Sequence, residues 1–323
     1  MRKIFLKNIA LPQLTLISRL TVILFILPAV LASCSNSSVQ QQNRTSVYMY
    51  EDTMQLVIFV EEAAALIEKE GDKAFVEFGR KNSKWFNEKW YLFAYDINGT
   101  CLFQPIDTDL VGANIMNMAD INGKPVIRMI TDVGRKKEKD AFGWVFYHWV
   151  DRTQFDPIWK ASYIRKAIDK NNRLYLIGSG LNSIKIEKFF VKENVDNAVN
   201  LIKDKGKDVS FKAFCDPASS FSFFDTYIFI VDSSGKILVD PAFPGLSERN
   251  MLLFKDAIGR EIVKDLMDKM KDSDRVWIQY LWPKPGETLP SRKLLYCRKL
   301  TLDKETFYVC SDFFLATPIW MRL

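Results

Sequence analysis

The sequence predicts an α+β protein made of two similar modules, each an antiparallel β-sheet with a long N-terminal helix and short flanking helices. Two observations lead to this prediction. An aromatic and basic segment at residues 144–166 recurs at residues 277–299, and each copy follows a helical pattern and a pair of short β-rich runs. A repeat of domain size indicates a duplication. The length of 323 residues is enough for about two domains.

Seven identities between the two segments fall at one separation of 133 positions, without a gap. These residue types are infrequent in proteins, so chance is a poor explanation of the match. The pairs are Trp144 and Trp277, Tyr147 and Tyr280, Trp149 and Trp282, Lys160 and Lys293, Tyr163 and Tyr296, Arg165 and Arg298, and Lys166 and Lys299.

The N-terminus has the pattern of an export signal. Basic residues precede an apolar run at residues 20–31, which is shorter than the roughly 20 residues that span a membrane. Residues 1–33 are therefore predicted to be a signal peptide. The string LASC ending at Cys34 resembles the lipobox of bacterial lipoproteins, which implies a lipid on Cys34 and a place in the cell envelope. An uncleaved anchor or an ordinary cleavage site is the alternative.

Ser35 follows the cysteine, which by resemblance to Gram-negative sorting signals favours the outer membrane, facing the periplasm, if the organism has two membranes. Residues 35–46 are polar and without apolar periodicity, so residues 34–48 are predicted to form a flexible tether. The formal net charge is +6, but four basic residues precede Cys34, which leaves 41 basic against 39 acidic residues. A net charge of +2 without a basic cluster does not indicate a nucleic-acid partner.

Each module is predicted to begin with a long helix. An apolar stripe running from Leu56 to Ile67 ends at Gly71, and a matching pattern in the second copy ends at Gly206. The apolar spacing of about one residue in every three or four is typical of a helix packed on one side.

Two short strands follow each helix, joined at Asp-x-x-Gly segments at residues 96–99 and 232–235. This pattern is typical of a β-hairpin, because glycine adopts a positive φ in the turn. A helical excursion and three antiparallel strands complete the module. The predicted modules span residues 49–188 and 189–323.

Five strings carry a family resemblance: DINGTCLFQP, LVGANIMNMADINGKPV, KASYIRK, YLIGSG and YLWPKPG. They resemble Cache domains of the second type, the PAS-like extracellular sensors of chemoreceptors and kinases. The resemblance implies that a small organic molecule, commonly a short carboxylate, binds on one face of the sheet and that a receptor or kinase partner reads the bound state. The first copy lacks the proline-rich YLWPKPG loop, and the second lacks the Gly-x-Gly ending.

The candidate ligand-binding residues come from the repeated segments. Residues two apart on a strand share a face, so Tyr147 with Trp149 and Tyr163 with Arg165 are expected to line one surface. An arginine fork and phenol donors would bind a carboxylate. Lys160 has the opposite parity to Tyr163 and would reach the ligand only from a strand entrance or a bulge. The second copy offers Tyr280, Trp282, Lys293, Tyr296 and Arg298.

A structural interpretation of the same residues stays open. The aromatic side chains would then be core, and the basic ones would be solvated or paired with Asp151, Asp156 or Asp303. The matching overall alternative is an envelope interaction or assembly lipoprotein that binds other proteins and no small molecule.

Catalysis, metals and cofactors have little support in the sequence. The chain has a single histidine, His148, and no clustered carboxylates, phosphate-binding glycine loop or Cys-x-x-Cys. We therefore expect neither an enzyme nor a cofactor. Cys297 and Cys310 lie on successive predicted strands, where a disulfide and two buried thiols are both possible. Their counterparts at a separation of 133 are Ile164 and Ile177.

Overall fold

The computed structural model describes residues 44–150, 156–182, 184–284 and 286–315. The predicted signal peptide, the lipidation candidate Cys34 and most of the predicted tether lie outside these residues. Both modules belong to one compact unit that begins at Tyr48. The exact module bounds of 49–188 and 189–323 remain a prediction.

Module 1, from residue 49 onward, contains three α-helices and five strands among the described residues. They are α1 (Glu51–Glu70), α2 (Ala74–Phe78), β1 (Phe93–Tyr95), β2 (Cys101–Phe103), α3 (Val126–Gly134), β3 (Phe142–Trp149), β4 (Ile158–Ile168) and β5 (Leu174–Asn182). Module 2 repeats this order with α4 (Lys188–Lys205), α5 (Lys207–Cys215), β6 (Ile228–Asp232), β7 (Ile237–Val239), α6 (Ile262–Lys269), β8 (Arg275–Pro283), β9 (Pro290–Leu302) and β10 (Glu305–Phe314).

The two sheets have the same topology. Module 1 has the strand order β2-β1-β5-β4-β3, and module 2 has the order β7-β6-β10-β9-β8. All strand pairs are antiparallel. The predicted α+β fold of two duplicated modules is confirmed.

The predicted hairpins are present in both modules. Asp96 accepts hydrogen bonds from the backbone N–H groups of Asn98 and Thr100 at 2.9 and 2.8 Å, which closes the turn between β1 and β2. Gly99 has a φ of +80°, and Gly235 in the corresponding turn has +88°. A side chain at Gly99 would also meet the backbone of Met116, so this position requires glycine in both respects.

Each sheet has two differently covered faces. We call the face under α1 or α4 the long-helix face, and the opposite face, covered by α3 or α6, the short-helix face. The apolar stripe of α1, which includes Leu56, Val60 and Ile67, is fully buried on the long-helix face. Side chains of α3 and the strands form a second core on the other face. Two strand residues can therefore contact each other only if their side chains project to the same face of the sheet.

The strand register joins Cys297 of β9 to Cys310 of β10 by a disulfide. In module 1 the corresponding cross-strand pair is Ile164 and Gly178, since Phe93 lies opposite Gly178 as Phe229 lies opposite Cys310. The counterpart of Cys310 is therefore Gly178, and the expected counterpart Ile177 is wrong by one residue. The separation between the copies falls from 133 to 132 in the last strand.

Lys124 of module 1 makes a buried polar contact with module 2. Its side chain is 1% exposed, and its ammonium donates hydrogen bonds to the carbonyl oxygens of Ser219 and Ser222, the latter at 2.6 Å. Burial lowers the pKa of Lys124 to about 8. Because a buried ammonium loses hydration, its charged form costs free energy that the two carbonyl groups offset only in part.

We expect Lys124 to make the free energy of unfolding depend on pH in the alkaline range. The folded pKa of about 8 lies below the unfolded value of about 10.4, so the unfolded chain binds more protons between these pH values. The free energy of unfolding should therefore rise with pH across this interval. Relative to Lys124→Met, which has nothing to titrate there, the wild-type protein should gain on the order of 2 kcal/mol.

Urea unfolding of both proteins at pH 7.5, 9 and 10.5 measures this difference. All other titrating groups are the same in the two proteins, so their effects cancel in the comparison. If the free energies of unfolding of the two proteins changed with pH in parallel, the depressed pKa of Lys124 would be contradicted.

Candidate functional site

The structure separates the repeated residues onto two faces of each sheet. Tyr147 lies opposite Lys160, and Trp144 lies opposite Tyr163. Cross-strand partners project to the same face, so Tyr147 and Lys160 share the short-helix face while Tyr163 projects to the long-helix face. The expectation that the pairs Tyr147–Trp149 and Tyr163–Arg165 line one surface is wrong. Lys160 needs no bulge to join Tyr147.

On the long-helix face, Tyr163 and Arg165 of β4 form hydrogen bonds and ion pairs with α1. The Tyr163 hydroxyl donates to Glu61 Oε1 at 2.7 Å, and Arg165 Nε donates to Glu61 Oε2 at 3.1 Å. A second carboxylate, Glu68, lies 3.2 Å from Arg165 Nη2. The arginine side chain is 8% exposed. This tyrosine and this arginine are thus bound to the protein's own helix, and the candidate site does not include them.

Module 2 has the same arrangement, but with a shorter acidic side chain on its long helix. Arg298 Nη1 lies 2.8 Å from Asp196 of α4, the counterpart of Glu61. Aspartate is one methylene shorter than glutamate, and the buried Tyr296 hydroxyl has no hydrogen-bond partner among the described residues. An unsatisfied buried hydroxyl costs stability. Tyr296 and Arg298 also lie away from the candidate site.

Lengthening Asp196 should stabilise module 2. In the Asp196→Glu variant the carboxylate can reach both Arg298 and Tyr296, as Glu61 reaches its two partners, so we expect a gain of about 1 kcal/mol from the new hydrogen bond. Chemical unfolding measures the gain. The reciprocal change, Glu61→Asp in module 1, should lower stability by a similar amount, and a loss in both variants would contradict this account of the tyrosine.

Module 1 has an open cleft of about 890 Å³ on the short-helix side of its sheet. Lys160, Tyr91, Trp149 and Gly180 line it. Lys160 is 4% exposed, and its ammonium donates to the Tyr91 hydroxyl at 2.5 Å. The cleft therefore has a wall in which a buried cation and a phenol stand side by side.

Tyr147 supports this wall from the interior of the module. Its hydroxyl lies 2.9 Å from Ser162 Oγ, and its ring packs edge-on against Trp149 with the centroids 5.7 Å apart. Burial raises the pKa of Tyr147, so the phenol stays neutral. Tyr147 thus positions the wall without lining the cleft.

The rim of the cleft contains a turn held by Asp120. Its carboxylate accepts hydrogen bonds from the backbone N–H groups of Asn122, Lys124 and His148 at 2.8 to 2.9 Å. The His148 ring lies 2.9 Å from the Asn122 side-chain nitrogen and packs against Trp159. His148, the single histidine of the chain, is therefore part of the structure of this turn.

Module 2 has a smaller cavity, of about 60 Å³, at the corresponding place. Lys293 Nζ lies 2.8 Å from Asp312 Oδ1, and both side chains are 1% exposed. The Tyr280 hydroxyl donates to the other oxygen of Asp312, and the Tyr227 hydroxyl lies 3.4 Å from Lys293 Nζ. The rest of the cavity is lined by Trp282, by apolar side chains of α6 and by further apolar residues such as Phe229 and Met251.

Asp240 adds a second carboxylate to this cavity. Burial raises its pKa, although the backbone N–H groups of Ala242 and Phe243 donate to it at 3.2 and 3.0 Å. The position in module 1 at the same separation as the hairpins is occupied by the neutral Gln104. These two equivalent positions thus differ in charge.

The largest difference between the two sites is Gly180 against Asp312. Gly180 lies opposite Ser162, and Asp312 lies opposite Leu295, the counterpart of Ser162. A Cβ atom on Gly180 would lie 2.7 Å from Lys160 Cε. Backbone without a side chain therefore adjoins Lys160 in module 1, whereas a carboxylate binds Lys293 in module 2.

Sequence reasoning missed Tyr91, Tyr227, Gly180, Asp240 and Asp312. Tyr91 and Tyr227 are repeated at the hairpin separation of 136 positions, which was a usable signal. The importance of Gly180 and Asp312 could not be recognised in this way, because they are not identical and lie where the separation changes.

A Cache domain family model matches residues 33–206 and 216–315. The chain belongs to the Cache domain family. The matched segments cover both modules, so the tandem Cache architecture recognised in the sequence is confirmed.

Similar proteins include chemoreceptors. Over 72 residues, 22% of this Cache protein and 13% of the relative, the chain is 29% identical to the methyl-accepting chemotaxis protein McpP of Pseudomonas putida. A solved methyl-accepting chemotaxis protein from Vibrio parahaemolyticus has 23% identity and a TM-score of 0.34, covering 39% of this chain and 87% of that one.

A second solved structure covers both Cache modules. It is the ligand-binding domain of the Pseudomonas fluorescens chemoreceptor CtaA in complex with L-alanine, with 12% identity and a TM-score of 0.29. The match covers 88% of this chain and 96% of that one.

In residues 44–150, 156–182, 184–284 and 286–315, no helix is long and apolar enough to cross a membrane. Within the same ranges, histidine, cysteine and acidic side chains form no group that could hold a metal ion.

Proposed function

We propose that this Cache protein is an exported, lipid-anchored and non-catalytic sensor that binds a short organic carboxylate in the cleft of module 1. A partner, such as a receptor or a kinase, would read the bound state. The observation that carries the proposal is the wall of the cleft, where the buried Lys160 ammonium and the Tyr91 hydroxyl adjoin the bare backbone of Gly180.

These groups suit a carboxylate chemically. An ammonium and a phenol can both donate hydrogen bonds to carboxylate oxygens, and such charge-assisted bonds are stronger in a site withdrawn from water. Lys160 is almost fully buried, so part of its hydration has already been lost before a ligand binds. At Gly180 the stem of Lys160 packs directly on the backbone, since a Cβ atom there would lie only 2.7 Å from Lys160 Cε.

The remainder of the cleft suits the organic part of the ligand. Its volume of about 890 Å³ falls within the usual range for small-molecule sites. Trp149, Met118 and Leu181 contribute apolar surface, while Asp120 is engaged by backbone N–H groups of its own turn. A small molecule with one carboxylate and a short apolar body would satisfy both parts.

A thermal-shift titration with acetate, propionate and pyruvate tests the ligand class. Binding to the folded state raises the melting temperature by mass action, and a ligand at 100 times its Kd contributes about 2.7 kcal/mol. We expect a concentration-dependent rise in Tm for at least one carboxylate, and none for the corresponding amide. Lys160→Met should abolish the rise, and Tyr91→Phe should weaken it.

Lys137→Met provides the matched control, because this exposed lysine lies outside the cleft and its loss changes the net charge equally. The control should keep the full response. Equal responses of the Lys160 and Lys137 variants would contradict the proposed site. A folded protein that responds to no carboxylate would favour the protein-interaction function.

The lipid anchor rests on the LASC string, whose cysteine lies outside the described residues. In a bacterial host fed an alkyne-labelled fatty acid, the wild-type protein should become labelled and sediment with membranes. Cys34→Ser should lose both properties. The variant Ser33→Ala, which keeps a small residue before the cysteine, is the control. Label that persists without Cys34 would contradict the anchor.

A further inference from the structure

We infer that Asp312 is a built-in carboxylate ligand of module 2, occupying the place that an external carboxylate takes beside Lys160 in module 1. The inference rests on the proposed function of module 1 and extends it to the second site. Module 2 is then permanently occupied, and the response to carboxylates is confined to module 1.

The contacts of Asp312 are those expected of a bound carboxylate. One oxygen lies 2.8 Å from the Lys293 ammonium, and the other accepts a hydrogen bond from the Tyr280 hydroxyl. Tyr227 lies next to the lysine, as Tyr91 lies next to Lys160. A charged pair this deeply buried is stable only when its members satisfy each other.

The strand registers place Asp312 and Gly180 at the same point of the duplicated fold. Asp312 lies opposite Leu295, two residues along the strand from Lys293, and Gly180 lies opposite Ser162, two residues from Lys160. In module 2 this point carries the carboxylate that binds the lysine, whereas in module 1 it carries no side chain.

An external carboxylate cannot readily replace Asp312. The aspartate is held by the chain and loses no translational freedom on pairing, whereas a free ligand does. Displacement would also leave a buried carboxylate without its cation. Asp240 at the same cavity places a further acidic group near the incoming anion. These effects together exclude carboxylates from module 2.

Truncating the internal ligand should open a carboxylate site. Asp312→Ala removes one carboxylate from a cavity that retains Lys293, Tyr227 and Tyr280. Acetate has nearly the same atoms as the deleted group and should restore its contacts. Asp312→Asn is the matched control, because its amide fills the same space and excludes acetate.

The test uses the purified protein carrying Lys160→Met, which silences module 1. Sodium acetate at up to 50 mM is compared with sodium chloride and acetamide. Acetate should raise the Tm of the Lys160→Met/Asp312→Ala protein by about 3 °C or more, and leave Lys160→Met alone and Lys160→Met/Asp312→Asn unchanged. Equal effects of acetate and chloride on the alanine variant would overturn the inference.

If the alanine variant does not fold in buffer, its refolding yield in acetate and in chloride is measured instead. Recovery that depends on acetate supports the inference, and equal recovery contradicts it. The two proposals fail separately. Loss of the wild-type response in Lys160→Met tests module 1, whereas acetate rescue is measured without Lys160. An absent rescue beside an intact Lys160 dependence would reject only the inference about Asp312.

Discussion

The alternation of side chains along the central strands β4 and β9 is the constraint on which both sites depend. Successive residues point to opposite faces of a sheet, so Lys160 projects to the short-helix face while Tyr163 and Arg165 project to the long-helix face. One repeated segment therefore contributes to both faces of the sheet. It anchors the long helix on one side and supplies a buried ammonium on the other.

The two faces have diverged differently since the duplication. On the long-helix face, module 2 keeps a tyrosine, an arginine and a carboxylate, with Asp196 in place of Glu61. On the short-helix face the lysine and tyrosines remain, but Gly180 is matched by Asp312 and the open cleft by a small cavity. The contacts between the long helix and the sheet stabilise each copy, whereas two ligand sites need not bind the same molecule.

The turn at Asp120 connects the module 1 cleft with module 2. Asp120 lies at the rim of the cleft, and Lys124, four residues later, is buried against the backbone of Ser219 and Ser222. The segment after Ser222 leads to Tyr227 at the second cavity. One turn therefore contacts both the cleft of module 1 and the backbone of module 2.

The sequence by itself determined the duplication, the α+β fold, the order of elements and the hairpin turns, because apolar periodicity and glycine positions are local properties of a chain. It also identified Lys160, Tyr147 and Trp149 as repeated residues, but it placed Tyr147 and Trp149 on one surface with Tyr163 and Arg165 and assigned Lys160 the opposite parity. Only the tertiary structure decided which residues meet, since the face shared by two strands depends on their register. A one-residue change of separation in the last strand, invisible in the identities, placed Asp312 opposite Leu295 and beside Lys293.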